Sequence, residues 1–344
     1  MANTTWSREW TDFATATQHK IGQQKFEDNV SRASKVLAWF MDDGGITGRA
    51  NGKRYIAGDS GDEIEEPLMT ELNTTGKWYE GTEEVDITSQ NVGTAAFFQS
   101  KQLVISSTIS GKEKRKNKGK EKVINLMKSK TDQAMISMRT LLAQALFSDG
   151  TGSNGKEIYG IQAIAPNDRG VGTAYGRIAA NTSWWLSQRS RSGTTYGDVG
   201  DFGLNGRDYL KRLYNDCTEG NSSPDISIVS QELWEAYDSS LLANERFTSK
   251  KMRDLGYEGE LMFMQTPVVW DRFHPDHNST GTHRWYMLNS EFLALRYCPE
   301  ANFSVLGFQR ALKGDYVASP IIWQGALCVN ARRMHGVGTG ITGV

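Results

Sequence analysis

The stretch that decides the fold runs from Gly119 to Ser148 and reads GKEKVINLMKSKTDQAMISMRTLLAQALFS. Apolar residues recur in it three, four or seven positions apart, the spacing that places side chains on one face of an α-helix. The recurring positions are Val123, Met127, Ala134, Met138, Leu141 and Ala145, flanked by Ile124, Met135, Leu142 and Leu146. Ser148-Asp149-Gly150 supplies a glycine stop. At about 1.5 Å per residue, such a helix is about 40 Å long, and we expect it to act as a structural spine.

Two blocks of opposite charge precede the body of this helix. The first block has ten acidic residues and a single cation among them, Lys77. The acidic residues are Asp59, Asp62, Glu63, Glu65, Glu66, Glu71, Glu80, Glu83, Glu84 and Asp86. The second block is opposed only by Glu113 and Glu121 and contains Lys112, Lys114, Arg115, Lys116, Lys118, Lys120 and Lys122. This mirror of charge predicts that the two blocks contact each other.

The acidic block lies in a region, 53–109, that has the pattern of extended structure. Leu103-Val104-Ile105 and Ile109 favour strands, and Val85-Asp86-Ile87-Thr88 alternates apolar with polar residues. Asn73-Thr74-Thr75-Gly76-Lys77-Trp78 between them is typical of a turn. We therefore predict a long two-stranded hairpin, which is marginally stable alone and needs a partner surface.

The remaining chain predicts a mixed architecture. The first 40 residues contain several aromatic residues, and we expect one or two short helices there. After residue 155 the pattern predicts a mixture of helices and strands. Predicted helices are Leu204–Cys217 and one that begins after Ser230 as N-cap, and predicted strands are Ile226–Val229, Pro267–Asp271, Arg284–Asn289 and, as the last strand, Ile321–Val329. With 344 residues, we expect an α+β protein with two or three core units.

The bulk composition excludes several classes of protein. A net charge of -1 argues against a surface devoted to nucleic acid. We expect neither a secretory signal nor a membrane span, because the N-terminus is polar and long apolar runs are missing from the sequence. Cys217, Cys298 and Cys328 are far apart, which predicts reduced thiols and folding in a reducing cytosol.

Two glycine-rich segments imitate nucleotide-binding motifs. Gly150–Glu157 has the glycine and lysine spacing of a P-loop, but Glu157 replaces the hydroxyl residue that binds magnesium. Gly170–Gly176 resembles a dinucleotide fingerprint, but Tyr175 occupies the place of the third glycine. We interpret both segments as turns and predict no cofactor.

One histidine-rich segment is a candidate metal site. His274, Asp276, His277 and His283 lie within ten residues, but Pro275 interrupts them and the segment is typical of a solvated turn. A nucleophile elbow of the G-x-S-x-G type is missing from the sequence. We therefore predict no catalytic residue and no metal, and keep a metal-dependent hydrolase as the alternative from another class.

The order of the segments resembles the major capsid proteins of tailed bacteriophages, which share the Hong Kong 97-type fold. The likeness is carried locally by Leu141–Gly150 running into Gly155–Ile164, a helix followed by a small glycine loop and Gly-hydrophobic-x-x-Ile, and by Tyr286–Leu293. The resemblance implies an N-terminal arm at 1–52, an E-loop hairpin at 53–109, a P-domain with the spine helix at 110–165, an A-domain at 166–304 and a return to the P-domain at 305–344.

This resemblance implies a structural protein whose copies form pentamers and hexamers of an icosahedral shell enclosing double-stranded DNA without sequence specificity. The implied place is the virion, after assembly in the host bacterial cytoplasm, and the implied partners are other copies and portal, scaffolding and decoration proteins. An encapsulin-like compartment is the alternative within the same fold.

The charge mirror then predicts a contact between subunits. In this hypothesis, the hairpin residues Glu63, Glu65, Glu66, Glu83 and Glu84 meet Lys112, Lys114, Arg115 and Lys116 of a neighbouring copy. Two other interpretations of the basic run stay open, a solvated face and a face toward DNA.

Overall fold

A computed structural model of the chain describes residues 34–41, 55–58, 63–84, 86–91, 93–116, 120–170, 174–241, 261–310 and 314–344, with the backbone alone for 120–125. These residues fall into two compact units. The larger unit takes its residues from 32–103, 140–302 and 323–344, and the smaller unit from 104–139 and 303–322. The predicted five-part domain division stays a prediction.

The helices and strands of the described residues are as follows. The helices are α1 (Lys35–Met41), α2 (Gly111–Lys116), α3 (Lys120–Ala145), α4 (Ile161–Ile164), α5 (Arg207–Asp216, preceded by a π-turn at Phe202–Gly206) and α6 (Gln231–Ser240). The strands are β1 (Tyr55–Ala57), β2 (Glu63–Met69), β3 (Gly93–Gln99), β4 (Lys101–Ser110), β5 (Gln188–Arg189), β6 (Arg191–Ser192), β7 (Thr195–Tyr196), β8 (Gly200–Asp201), β9 (Ile226–Val229), β10 (Leu261–Phe263), β11 (Thr266–Trp270), β12 (His283–Leu288), β13 (Leu293–Tyr297), β14 (Ser304–Val305), β15 (Gln309–Arg310), β16 (Tyr316–Val329) and β17 (Gly336–Thr342).

A seven-stranded sheet forms the centre of the larger unit. Its order is β10-β11-β9-β12-β17-β5, and β8 also pairs with β17. Trp285 on β12 is completely buried, with its ring 5.4 Å from that of Tyr237 on α6 and 5.6 Å from that of Phe263 on β10. These aromatic contacts make Trp285 the centre of the core between this sheet and the helices that pack on it.

A second sheet has the order β1-β13-β16-β14, and β4 and β15 also pair with β16. Within the smaller unit, β14 and β15 both pair with the first half of β16. Gly111 N, at the start of α2, donates to Asp315 O at 2.7 Å. This backbone hydrogen bond holds the start of α2 beside the residue that precedes β16.

The predicted spine helix is confirmed as α3, which has 26 residues. Ala134 and Met138 are buried as predicted, and Leu142 and Leu146 on the flank are buried too. Leu141 was predicted to face the core, and this is wrong, because its side chain is exposed.

The predicted helices α5 and α6 and the predicted strands β9, β11 and β12 are confirmed. Ser230 caps α6, since its Oγ accepts from Leu233 N at 3.3 Å. The prediction that Ile321–Val329 is the last strand is wrong. This strand begins at Tyr316, and β17 follows it and pairs with β12 in the seven-stranded sheet.

The short helix α1 is anchored on the larger unit by a buried carboxylate. Asp271 Oδ2 accepts from Ser34 Oγ at 2.7 Å and from Val36 N at 3.0 Å. Ser34 Oγ in turn accepts from Leu37 N at 3.0 Å. The helix therefore has a capped N-terminus, while the rest of the predicted N-terminal arm, 1–33 and 42–52, lies outside the described residues.

All three cysteines are free, and Cys217 and Cys328 are buried. Burial raises the pKa of both buried thiols, so they stay protonated. Within the described ranges, the helices do not combine the length and the hydropathy that a bilayer span requires.

Candidate subunit interface

The hairpin that carries the acidic block is built by β2 and β3. They pair antiparallel, from Glu63 opposite Gln99 to Met69 opposite Gly93. Side chains alternate between the two faces of a strand, and on β2 this alternation buries Ile64 and Leu68. The other two strands of the predicted hairpin region, β1 and β4, belong instead to the sheet of β13 and β16.

The loop between β2 and β3 has no regular secondary structure in its described part, residues 70–84 and 86–91. Thr74 Oγ1 donates to Gln90 Oε1 at 3.2 Å, which joins the two arms of the loop. The chain reverses at Gly81, whose φ is +66°, so the turn lies just beyond the predicted Asn73–Trp78. The predicted strand at Val85–Thr88 is wrong for Asp86, Ile87 and Thr88, and Val85 lies outside the described residues.

Large apolar side chains cover the end of the hairpin. We call Met69, Leu72, Trp78, Tyr79 and Ile87 the apolar tip. All five are exposed, and Trp78 is 102% exposed. Large apolar side chains that are exposed so close together in the sequence indicate an interaction surface if they form one patch. These residues were not among the predicted contact residues, although large apolar residues inside an acidic, turn-rich segment are visible in the sequence.

Three of the predicted acidic contact residues have partners in the chain. Glu63 forms an ion pair with Arg177, and Glu66 forms one with Arg296. Glu83 Oε2 lies 3.5 Å from Lys77 Nζ. The last pair is exposed on the loop and therefore weak.

The other two predicted acidic residues, Glu65 and Glu84, are exposed. Elsewhere on the loop, the hydroxyl and the amide of Thr88 donate to the carboxylate of Asp86 and lower its pKa. The loop therefore carries negative charge at neutral pH.

The predicted basic contact residues lie on α2. Lys112, Lys114, Arg115 and Lys116 are exposed, and Arg115 Nη2 lies 2.6 Å from Asp315 Oδ2. The side chains of Lys118, Lys120 and Lys122 lie outside the described residues. The structure thus places the acidic residues in the larger unit and the basic ones in the smaller unit.

One acid of α2 faces inward. Glu113 is buried and its Oε1 lies 2.9 Å from Lys130 Nζ on α3. Lys130 Nζ also donates to Thr108 O at 3.0 Å. These bonds hold α2 so that its lysines face solvent.

The side chains of the candidate metal ligands form hydrogen bonds with different partners. His274 Nδ1 accepts from Asp276 N at 3.2 Å, while the Asp276 carboxylate accepts from Arg284 Nε at 2.9 Å and from Arg284 Nη2 at 2.6 Å. His283 Nδ1 shares a hydrogen bond of 2.9 Å with Ser230 Oγ. In the part of the chain that the structure describes, no group of three His, Cys, Asp or Glu residues is placed to hold a metal.

Two histidines are buried deeply enough to stay neutral. Burial lowers the pKa of His274 to about 3 and that of His335 to about 3. His335 Nδ1 accepts from Asn289 N at 3.2 Å. These histidines act as buried hydrogen-bond acceptors.

The segment that imitates a P-loop is a turn closed by its own side chains. Glu157 accepts from Ser148 Oγ at 2.8 Å and from Ser153 Oγ at 3.0 Å. Ser153 and Asn154 have positive φ values of 50° and 60°. The carboxylate therefore occupies the loop that a phosphate would need.

The sequence matches no protein-family model and no curated protein, but the structure is similar to solved structures over nearly its whole length. The capsid asymmetric unit of cyanophage A-1(L) is 15% identical and has a TM-score of 0.62, with 93% of this chain and 96% of that chain covered. The capsid of a native GTA particle is 12% identical and has a TM-score of 0.59, with 96% and 99% covered.

A third similar structure is the holo-SrpI encapsulin complex from Synechococcus elongatus PCC 7942. It is 9% identical and has a TM-score of 0.54, with 96% of this chain and 95% of that chain covered. At these identities, the likeness establishes the fold.

Proposed function

We propose that this chain, which has the Hong Kong 97-type capsid fold, is the major capsid protein of a tailed bacteriophage. Many copies would form pentamers and hexamers that close into an icosahedral shell around double-stranded DNA. The observation that carries the proposal is coverage, since the likeness to a capsid subunit extends over 93% of this chain and 96% of the other. The likeness therefore involves nearly the whole of both chains and not one shared domain.

In this proposal the protein is structural and not an enzyme. The hairpin region, 53–109, is the E-loop, 110–165 with α3 is the P-domain, 166–304 is the A-domain, and 305–344 returns to the P-domain. Assembly takes place in the host bacterial cytoplasm, and the finished subunit belongs to the virion. Portal, scaffolding and decoration proteins are the expected partners besides other copies.

The contact that we propose joins the hairpin of one copy to α2 of a neighbour. Glu63 and Glu66 have cationic partners inside the chain, and Glu83 has only the exposed and weak pair with Lys77. The proposal therefore rests on Glu65, Glu84 and Glu83. These face Lys112, Lys114, Arg115 and Lys116 of the neighbour. Exposed ion pairs contribute only about 0–1 kcal/mol each. The charges therefore guide the approach and alignment of the two subunits, and the apolar tip supplies most of the affinity.

Charge reversal with rescue tests this contact. Lys114→Glu with Lys116→Glu leaves the Arg115–Asp315 bridge intact and should reduce the yield of shells at least tenfold. Adding Glu83→Lys with Glu84→Lys should restore the yield, because it re-creates opposite charges across the contact. A matched control reverses Lys211 and Arg212, which are exposed on α5. Normal shells from the first variant, or failure of the rescue, would overturn the contact.

An encapsulin-like compartment is the second candidate, favoured by the likeness to the encapsulin complex at a TM-score of 0.54. The two candidates differ in what the shell encloses. Particles purified from the native host distinguish them: nuclease-protected double-stranded DNA supports a phage capsid, and a co-purified enclosed protein without DNA supports the compartment.

A further inference from the structure

A buried acid interrupts the apolar face of the hairpin. Glu66 lies on β2 between Ile64 and Leu68 and faces the same way, with 4% of its surface exposed. Its partner across the hairpin is Ala96 on β3.

The cation that meets Glu66 is held on an interior strand. Arg296 lies on β13, where it pairs with Ile56 of β1 on one side and with Ala326 of β16 on the other. Its guanidinium forms an ion pair with the Glu66 carboxylate. Burial raises the pKa of Glu66, and the charge of Arg296 opposes that rise. This ion pair therefore attaches β2 to β13, in addition to the exposed ion pair between Glu63 and Arg177.

The other strand of the hairpin is attached at a different place. Phe97 N on β3 donates to Gly176 O at 3.1 Å. The Phe98 ring lies 5.1 Å from the Tyr175 ring, and the Arg177 guanidinium lies 5.6 Å from the Phe97 ring. Glu63 of β2 also pairs with Arg177 at this place. A hairpin attached only here can pivot, whereas a second attachment to β13 fixes its direction.

The energetic balance of this ion pair indicates a role other than stabilisation of the subunit. Taking two charges out of water costs about as much as their attraction returns, and apolar residues of similar volume are often as stable or more stable. Ile64, Leu68 and Phe98 beside the pair are buried and apolar, and the hydrophobic effect has no preferred direction. Glu66 is buried and Arg296 is partly exposed, and in some proteins an ion pair of this kind specifies geometry.

We propose that Glu66 and Arg296 are a positioning pair, which fixes the direction in which the hairpin leaves the larger unit. The pair thereby decides where the apolar tip is presented. This inference about the subunit does not depend on the proposed function, but its consequence for assembly does.

The test replaces the pair by Glu66→Met with Arg296→Met and measures the hairpin's direction in dispersed subunits. Spin labels at Thr94→Cys on β3 and Lys211→Cys on α5 occupy exposed positions, in a background where Cys298 is serine. Electron–electron resonance gives the distribution of distances between them. We expect a distribution at least twice as wide as that of the parent, with an unchanged or higher melting temperature. An unchanged width in the folded variant would overturn the proposal.

Two further variants keep the test decisive if the apolar pair fails to fold. Arg296→Lys retains the charge without the planar fork, and we expect intermediate broadening; an unchanged width there also counts against the pair. Lys77→Met with Glu83→Met removes an exposed pair of the loop and should leave the width unchanged. If this control also broadens the distance distribution, loss of charge in general causes the effect, and the proposal fails.

The assembly assay is read separately. We expect the apolar variant to give about tenfold fewer shells than the parent. Wild-type subunits that never form shells would refute the proposed function and leave the distance result intact. Normal shells from a broadened hairpin would overturn only the link between its direction and assembly.

Discussion

Truncation of the exposed tryptophan at the hairpin's end separates subunit stability from assembly. Trp78 is 102% exposed in the single chain, so Trp78→Ala removes no contact inside the subunit. The free energy of unfolding should change by no more than about 0.5 kcal/mol, as for other surface substitutions. The loss should appear only where a neighbouring copy covers the ring.

The free energy lost from the contact follows from the area of the ring that the neighbouring copy covers. A contact that covers about 80 Å² of the ring, at about 25 cal/mol per Å², contributes about 2 kcal/mol. Each added subunit gains one such contact, so the threshold concentration for assembly should rise roughly 30-fold.

Static light scattering over a concentration series measures this threshold, and chemical denaturation of dispersed subunits measures stability. Leu204→Ala is the matched control, because Leu204 is 81% exposed and lies on the π-turn before α5. We expect its threshold to stay at the wild-type value. A threshold for Trp78→Ala within about threefold of wild type would refute the apolar tip as a contact.

Three other substitutions or conditions probe the subunit itself. Trp285→Ala should lower the free energy of unfolding by about 3–5 kcal/mol in urea titrations, because it leaves a cavity among packed rings; a loss below about 1 kcal/mol contradicts that core. Asp271→Asn should speed hydrogen exchange in Lys35–Met41 roughly 30-fold, because it weakens charged hydrogen bonds worth about 2 kcal/mol; unchanged exchange contradicts the anchor. His274 and His335 have a pKa of about 3 when folded and 6.5 when unfolded, so the unfolded state binds more protons between these values and stability falls as pH falls. Urea titrations at pH 6.5 and 5 should differ by about 1.6 kcal/mol per histidine, and His274→Gln with His335→Asn should reduce that difference; an equal difference in the variant contradicts the assignment.

Periodic segments were predictable because their pattern and their burial agree. The α+β fold of the Hong Kong 97 type is confirmed, and so are the spine helix and the strand Ile226–Val229, whose four residues are all buried. The error at Leu141 arose because Leu142 beside it is equally apolar. The sequence pattern alone does not decide which of two adjacent leucines faces the core.

The last strand, β17, was not predictable, because its glycines have low strand propensity. Tertiary packing demands them. A Cβ on Gly336 would lie 2.6 Å from Cys217 Sγ and 2.7 Å from Leu213 Cδ1, and a Cβ on Gly338 would lie 3.2 Å from Leu210 Cδ2. Helix α5 thus packs so close to β17 that a side chain at Gly336 would clash with it and one at Gly338 would crowd it. The isolated segment does not contain this information.

The charge of the candidate interface was predictable from the sequence, but the ion-pair partners of its acidic residues within the chain were not. Counting charges identifies the acidic hairpin and the basic helix, but Arg296 is far from Glu66 in sequence, and only the folded sheet brings them together. Alternation along β2 did carry a signal, since it places Glu66 on the same face as Ile64 and Leu68. An acid on an apolar face predicts a buried partner.

Negative-stain electron microscopy of the purified wild-type protein tests the shell assignment most directly. The account predicts closed icosahedral particles, or rings of five and six subunits, above a threshold concentration. A protein that remains a dispersed monomer at every concentration and salt condition tried would contradict it.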